Sequence, residues 1–308
     1  MIQVPIIDVS GSARGSVVAT VARAAADHGF FIVTGHGVEP RLVTRVFAAA
    51  KRFFDLDDET KAEVALAHSP HNRGWEKSAQ TFDAGTGVDQ KESFLIGVER
   101  GRDDPGVTGG LPMHGPNQWP AVGGFRETMQ EYLAAMTGAA TRFAHVLARS
   151  LGLPDDHFDR YYEDGGMSVL RLLHYWPVPS GAAIGAGAHT DFGFITLLVQ
   201  DDVGGLEVMT SSGDWIAVPP VPDAFVVNLG DMVQRWTNDR YRSNPHRVLS
   251  PADRHRYSVA FFANPAYATP VTCLPTCATD DDPPRYGPIT AGEYLVSRYR
   301  QTGIRAAD

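Results

Sequence analysis

The stretch GAHTDFGFITLLVQDDVGGLEV, residues 187–208, decides how the chain reads. Gly193–Gln200 within it is a β-branched, apolar run of strand length. The turn DDVGG (201–205) follows, and a second strand-like run, Leu206–Thr210, comes after the turn. Ahead of the first run stand His189 and Asp191, two positions apart. In an extended chain, side chains at i and i+2 share a face, so one imidazole and one carboxylate converge on one point.

Outward from there, residues 166–272 continue as short β-type runs separated by turns. Ser168–Tyr175, Trp215–Val218, Ala224–Leu229, His246–Leu249 and Tyr257–Phe262 join the two runs above, with SSGD (211–214) as a further turn. Strands at this spacing predict a sandwich or barrel of antiparallel sheet. Residues 1–165 read mostly helical. Val4–Val9 and Phe30–Thr34 are strands in that region. Val17–Ala26, Pro40 to Phe54, Asp57–Ala65 and Phe125–Leu151 are helices, the last ended near Gly152 and Pro154. Residues 66–120, rich in Gly, Pro, Asn and His, read as irregular. In the segment 273–308, Thr290 and Glu293 have capping-box spacing ahead of a helix over Tyr294–Arg300. With no linker rich in Gly, Ser or Pro, a single domain over 1–308 is expected, mainly β with flanking helices.

The 308 residues carry 27 Lys+Arg against 36 Asp+Glu, a net charge of −9. That balance argues against nucleic acid and anionic membrane as partners, since both need clustered Lys/Arg. No apolar run nears the ~20 residues that span a bilayer, and the opening MIQVPIIDVSGSARG lacks the pattern of a signal peptide. Cys273 and Cys277 are the only cysteines. A disulfide framework is thereby excluded, and a reducing cytoplasm is the expected location. Oligomeric state leaves no mark on the sequence.

A third candidate ligand, His246 in SNPHRV (243–248), heads a later strand. Two histidines and one carboxylate form the facial triad that suits non-haem Fe(II). Three protein ligands leave three positions of an octahedron for a bidentate co-substrate and O₂. His-x-Asp alone is weak, because a lone histidine on an apolar strand is more often a hydrogen-bonded core residue. The ten-residue step from His246 to Arg256-Tyr257-Ser258 adds weight. Arg256 and Ser258 share a strand face, and a guanidinium fork with a hydroxyl matches a carboxylate. The bland alternative is a surface Arg256 paired with Asp253.

Beyond these motifs the chain resembles the isopenicillin N synthase-like branch of the iron(II)/2-oxoglutarate-dependent oxygenases. The resemblance runs through VPIIDVS (4–10), DHGFFIVTGHGV (27–38), DQKESF (89–94), GPNQWP (115–120), LRLLHYWP (170–177), the 187–208 stretch, NLGDMVQRWTNDRYRSNPHRV (228–248) and RYSVAFFANP (256–265). It implies a double-stranded β-helix, or jelly roll, flanked by helices. It also implies that His189, Asp191 and His246 hold Fe(II), and that Arg256, Ser258 and Tyr175 hold the distal carboxylate of 2-oxoglutarate. Leu173 stands where many plant relatives have an asparagine. Arg171 resembles an arginine that approaches the co-substrate in ethylene-forming relatives, with a structural ion pair as the equal alternative. Asn228, Asp231 and Gln234 are possible partners of the ligands.

The implied chemistry is oxidation by O₂ coupled to decarboxylation of 2-oxoglutarate to succinate and CO₂. The outcome on a small molecule, amino-acid-like or a secondary metabolite, would be hydroxylation, desaturation or ring closure. Phe82, Lys91, Glu92, Phe94, Trp236 and Phe262, with Arg171, are the candidates to line the substrate pocket. Arg73, Lys77 and Lys91 could meet an anionic substrate, although isolated basic residues are usually solvated surface. The rival readings are an iron oxidase that needs no 2-oxoglutarate, an ethylene-forming type of enzyme, a non-catalytic jelly-roll binding module, and a zinc site on the same triad.

Overall fold

The structure, a computed structural model, describes residues 3–11, 15–77, 89–178 and 184–302. In the first half β1 (Ile6–Asp8), α1 (Gly15–Asp27), β2 (Phe30–Thr34), α2 (Pro40–Phe54), α3 (Asp58–Ala62), β3 (Gly74–Lys77), β4 (Glu92–Gly97), α4 (Pro105–Thr108) and α5 (Phe125–Ser150) follow one another. The second half runs β5 (Val169–Tyr175), β6 (Ile184–His189), β7 (Ile195–Gln200), β8 (Leu206–Met209), β9 (Trp215–Ala217), β10 (Phe225–Leu229) and α6 (Asp231–Trp236). It closes with β11 (His246–Leu249), β12 (Arg256–Ala263), β13 (Pro270–Val271), β14 (Ile289–Thr290) and α7 (Ala291–Gln301).

The strands form an eight-stranded sheet, ordered β1-β2-β10-β7-β12-β5-β4-β3, and a four-stranded sheet, β6-β11-β8-β9. β1 pairs parallel with β2, and the other pairings of both sheets are antiparallel. The two sheets close on each other as the jelly roll. Phe30, Ile32, Leu173, Val208, Val248 and Ala260 fill the space between them. The other face of the large sheet is covered by helices. Along α5, Phe125, Met129, Tyr132, Met136, Phe143 and Leu147 form one buried stripe at helical spacing. That stripe packs against β7 and β12, with α1 and α2 alongside α5. Each such aromatic or aliphatic side chain contributes about 1.5–3 kcal/mol by leaving water.

Strand alternation sorts side chains between these two cores. β12 turns Val259, Phe261 and Ala263 towards the helices, and Arg256, Ser258, Ala260 and Phe262 inward. β10 sends Asn228 inward between outward Val227 and Leu229, and β7 sends Thr196 inward between Ile195 and Leu197. Register then aligns them: Arg256 lies opposite Tyr175, Ser258 opposite Leu173, and Asn228 opposite Thr196. The polar groups of the site are thereby gathered on one face.

Several elements depart from expectation. Residues 66–120 are not irregular throughout, since β3 and β4 extend the large sheet there. β4 (ESFLIG) hides because Glu92 and Ser93 are buried with internal partners, so its polarity misleads. β6 (IGAGAH) has little intrinsic strand preference and is held by its pairing with β11. α6 is too short to show periodicity. The helix expected over Asp57–Ala65 closes at Ala62, with Asp57 capping it through the Thr60 N–H. The capping box of Thr290 and Glu293 is present at the start of α7. Among the described residues, no helix is long and apolar enough to cross a membrane.

Candidate active site

His189 ends β6, His246 begins β11, and the two are direct partners across the small sheet. Their ring centroids are 4.3 Å apart. Asp191 follows just past β6, with its Oδ1 4.0 Å from His189 Nε2 and 3.7 Å from His246 Nε2. One donor atom from each residue lies within 4.8 Å of the others, and no other such trio occurs among the described residues.

The loop carrying Asp191 is fixed by its backbone. Asp231 N–H donates to the Asp191 carbonyl (2.8 Å), Gly230 N–H to that of Phe194 (2.9 Å), and Met232 N–H to that of Gly193 (3.1 Å). So close an approach needs glycine at 230, where a Cβ would sit 2.3 Å from the Gly193 oxygen. The side chain is oriented from the large sheet. Asn228 Nδ2 (2.6 Å) and Thr196 Oγ1 (2.5 Å) both donate to Asp191 Oδ2. Oδ1 is left to face the histidines. His189 Nδ1 lies 2.7 Å from the Gly187 carbonyl, which can only accept, so Nδ1 carries the proton and Nε2 keeps its lone pair. Asp89 accepts from the N–H of the same Gly187 (2.9 Å). His246 Nδ1 has a longer contact, 3.5 Å, to the Asn244 carbonyl.

Burial pushes the Asp191 carboxyl up, but the two imidazoles and the bonds from Asn228 and Thr196 outweigh it and hold the group below the usual carboxylate range. Burial and the neighbouring His246 hold His189 below the ordinary imidazole value, against the pull of Asp191. A neutral imidazole at His189 beside an ionised Asp191 is the protonation state that suits a divalent cation. The donor set fits ferrous iron. Asn228→Ala should lower metal affinity roughly 10–100-fold, the usual cost of losing a partner of a ligand. Metal titration of the folded variant checks this, and an unchanged affinity would count against it.

Arg256 is fully buried. Nε donates to the Gly204 carbonyl, Nη1 to Ser258 Oγ (3.2 Å) and Nη2 to Gln200 Oε1 (3.1 Å), while the Tyr175 ring lies 4.8 Å from the guanidinium carbon. Among the described residues it forms no ion pair, with Asp253 or any other carboxylate. An unpaired buried charge is costly, so this position favours an arriving anion. A cavity of about 70 Å³ separates Arg256 and Ser258 from the triad.

The profile of the 2OG-Fe(II) oxygenase superfamily matches residues 166–265, and that of the non-haem dioxygenase in morphine synthesis N-terminal region matches 4–122. The chain is 42% identical to the 2-oxoglutarate-Fe(II) type oxidoreductase hxnY of Emericella nidulans, covering 98% of this chain and 91% of that protein. The chain belongs to the 2OG-Fe(II) oxygenase superfamily. It is 40% identical to the 2-oxoglutarate-dependent dioxygenase citB of Monascus ruber over 83% of this chain and 80% of that one. The structure of a full-length Neurospora crassa protein in complex with alpha-KG superposes with a TM-score of 0.85 at 31% identity, covering 96% of each chain. That of JOX2 with 2OG, Fe and JA superposes at 0.82 and 29%, covering 99% of this chain and 86% of that one. The oxygenase is thus an Fe(II)- and 2-oxoglutarate-dependent enzyme acting on small molecules. Relatives named for 2-oxoglutarate weigh against the oxidases that dispense with it.

A larger cavity, about 570 Å³, shares Arg171, His189, Asp191 and Phe262 with the smaller one. Arg171 is ion-paired with Glu76 and also faces both cavities. Lys91 lines the inner cavity, paired with Asp89. Burial and the charge of Arg171 lower its amine to about 8, against the pull of Asp89.

Three of the oxygenase's expected pocket residues are elsewhere. Glu92 and Phe94 point to the helix side of β4, whose inward positions are Ser93 and Leu95. Glu92 accepts from Lys61 (2.8 Å), Trp75 (2.7 Å) and His174 (2.7 Å). Phe94 packs on Phe53 and Phe125. Trp236 is buried against Phe158, Tyr161 and Phe194. Phe82 lies outside the described residues. Of the suggested ligand partners, only Asn228 reaches Asp191 with its side chain; Asp231 does so by its backbone, and Gln234 accepts from Ser243 N–H. Thr196 and Asp89 escaped the sequence reading. Thr196 had one signal, a hydroxyl at an inward position of an apolar strand.

Proposed function

We propose that His189, Asp191 and His246 hold the Fe(II), that Arg256, Ser258 and Tyr175 receive the distal carboxylate of 2-oxoglutarate in the inner cavity, and that substrate occupies the larger cavity beside Phe262. The observation that carries this reading is the buried, carboxylate-free guanidinium of Arg256 facing the triad across a small void. Iron held there with 2-oxoglutarate would supply the O₂-activating chemistry that oxidises a substrate carbon. No side chain need act as a base for that oxidation. The chain's own residues position and exclude water. Leu198, Leu206, Val248 and Ala260 wall the inner cavity, which strengthens every polar contact inside it. Lys91 adds a second cation beside the dianionic co-substrate, its charge balanced by Asp89 until that anion binds. Arg171 serves as an ion-pair partner of Glu76 and as a wall of both cavities.

The substrate is of amino-acid or secondary-metabolite type, oxidised by hydroxylation, desaturation or ring closure. That the Neurospora crassa protein was solved with thymine, and JOX2 with JA, supports molecules of this size. We infer further that the whole chain works as one oxygenase unit and, from two cysteines that stay free thiols, that it works in a reducing cytoplasm. The test is succinate release from 2-oxoglutarate by the iron-loaded protein with candidate substrates, beside a 2-oxoglutarate titration. Absence of 2-oxoglutarate binding would overturn the reading. Arg256→Gln should raise the KM for 2-oxoglutarate roughly 10–150-fold, since hydrogen bonds to charged groups contribute about 1.5–3 kcal/mol. An unchanged KM would move the anchor elsewhere.

A further inference from the structure

The larger cavity contains two donors that the fold orients and leaves without an acceptor. Arg171 Nε donates to Ser93 Oγ (3.1 Å), Nη2 donates to Glu76 Oε1 (2.5 Å), and Ser93 Oγ donates to the same Glu76 oxygen (2.9 Å). This triangle grips the guanidinium along one edge. Nη1 has no hydrogen bond among the described residues, and the side chain lines the cavity. Tyr299 enters from α7, its ring 6.1 Å from Phe192. Its hydroxyl likewise has no hydrogen-bond partner among the described residues. The phenol is near enough to Arg73, Arg171 and Asp191 to feel all three charges.

The charges around the cavity do not cancel. Glu76 balances Arg171, and Asp58 balances Lys77. Asp191 belongs to the metal. Arg73 is buried and donates to the carbonyls of His71, Asn72 and Met113, but makes no ion pair among the described residues. Burial lowers its guanidinium to about 10, so it stays charged at neutral pH. The wall therefore keeps one positive charge in excess. Leu66, Trp75, Met113, Phe192, Phe262 and Leu295 make much of the rest apolar, with Asn72, Thr190 and Asn264 as neutral polar neighbours.

We propose that the substrate is a carboxylate with an apolar body, its carboxylate received by Arg171 Nη1 and the Tyr299 hydroxyl, with Glu76 and Ser93 as positioning residues. This rests on the larger cavity being the substrate chamber of the oxygenase. The full chain would be loaded with Zn(II) and N-oxalylglycine, an unreactive analogue that fills the 2-oxoglutarate site. Matched sets of acid, primary amide and hydrocarbon on benzene, indole and cyclohexane bodies would then be titrated by ligand-observed NMR. Acids should bind about tenfold or more tighter than their amides, as a charge-assisted bond outweighs a neutral one. Tyr299→Phe should weaken acids roughly 10-fold or more, the worth of one hydrogen bond to a charged group. Arg171→Met with Glu76→Gln, which strands no buried charge, should remove the preference for acids. Equal binding of acids and amides, no binding of acids, or an acid affinity indifferent to Tyr299→Phe would each overturn the proposal. Failure of the underlying reading shows separately, as a failure of N-oxalylglycine to bind or as its displacement by the acids.

Discussion

Asp191→Ala should strip the protein of iron and of 2-oxoglutarate turnover. Asp191 is the only anionic member of the triad, and its Oδ1 is the atom that the fold turns towards both Nε2 atoms. Without it, two neutral imidazoles 4.3 Å apart must hold a dication with no charge to offset it. The loss should exceed the roughly 10–100-fold expected when only a partner of a ligand is removed. The fold should survive, because the backbone bonds from Asp231 and Met232 hold the loop independently of the side chain. Metal content after desalting and succinate formation read the two effects, with circular dichroism as the check on folding. Full iron occupancy and unchanged succinate in the variant would refute the assignment of the triad.

Glu92→Gln should cause the largest loss of stability among single polar substitutions in this chain. The carboxylate is buried and binds Lys61, Trp75 and His174 together. Lys61 is itself buried, and its other carboxylate, Asp58 at 3.0 Å, is half exposed. An amide at 92 would leave the ammonium largely uncompensated, at a cost of about 3–5 kcal/mol. A drop in Tm of about 6 °C or more follows for a chain of this size. The pH dependence has a definite sign. Burial pushes the Glu92 carboxyl up, but bonds from His174, Lys61 and Trp75 overcome it and hold the group below its ordinary 4.5. The unfolded chain thus takes up the proton first as pH falls. The stabilisation is complete above the unfolded value and is lost as pH drops through the folded one. The Tm gap between wild type and Glu92→Gln should therefore be constant near neutrality and narrow below about pH 4.5. A gap that is absent, or that stays constant into acid, would show that the carboxylate contributes nothing as an anion. Trp75 lines the larger cavity, so loosening its bond to Glu92 should also disturb substrate binding.

The residues with chemistry that needs a particular atom were legible. A histidine and a carboxylate two apart, a second histidine heading a strand, and an arginine and a serine sharing a strand face are combinations that few structural roles require together. Most of the strands around them were legible too, because β-branched runs between turns report burial on two faces, but β6, which carries His189, was not. Legibility failed where polarity and burial part company. Glu92 looked like a pocket residue because a charged group in an apolar stretch invites a functional reading, yet its partners Lys61 and His174 come from distant positions. Trp236 and Phe94 looked available because an aromatic side chain carries no sign of which core it will join. Arg73 and Lys91 looked solvated for the same reason that Glu92 looked functional: a charge in sequence does not show its surroundings.

Local preference and period-two alternation follow from covalent geometry and solvation of each segment alone, so the chain itself determined most of the strands, the long helices, the capping box of α7 and the proposed ligand set of the oxygenase. Which face of β4 meets the cavity, which oxygen of Asp191 turns towards the histidines, and which cations lack a carboxylate partner were decided by packing between elements far apart in sequence. Those outcomes depend on register and on the close approach of α6, β6 and α7 to the large sheet, and no single segment carries that information.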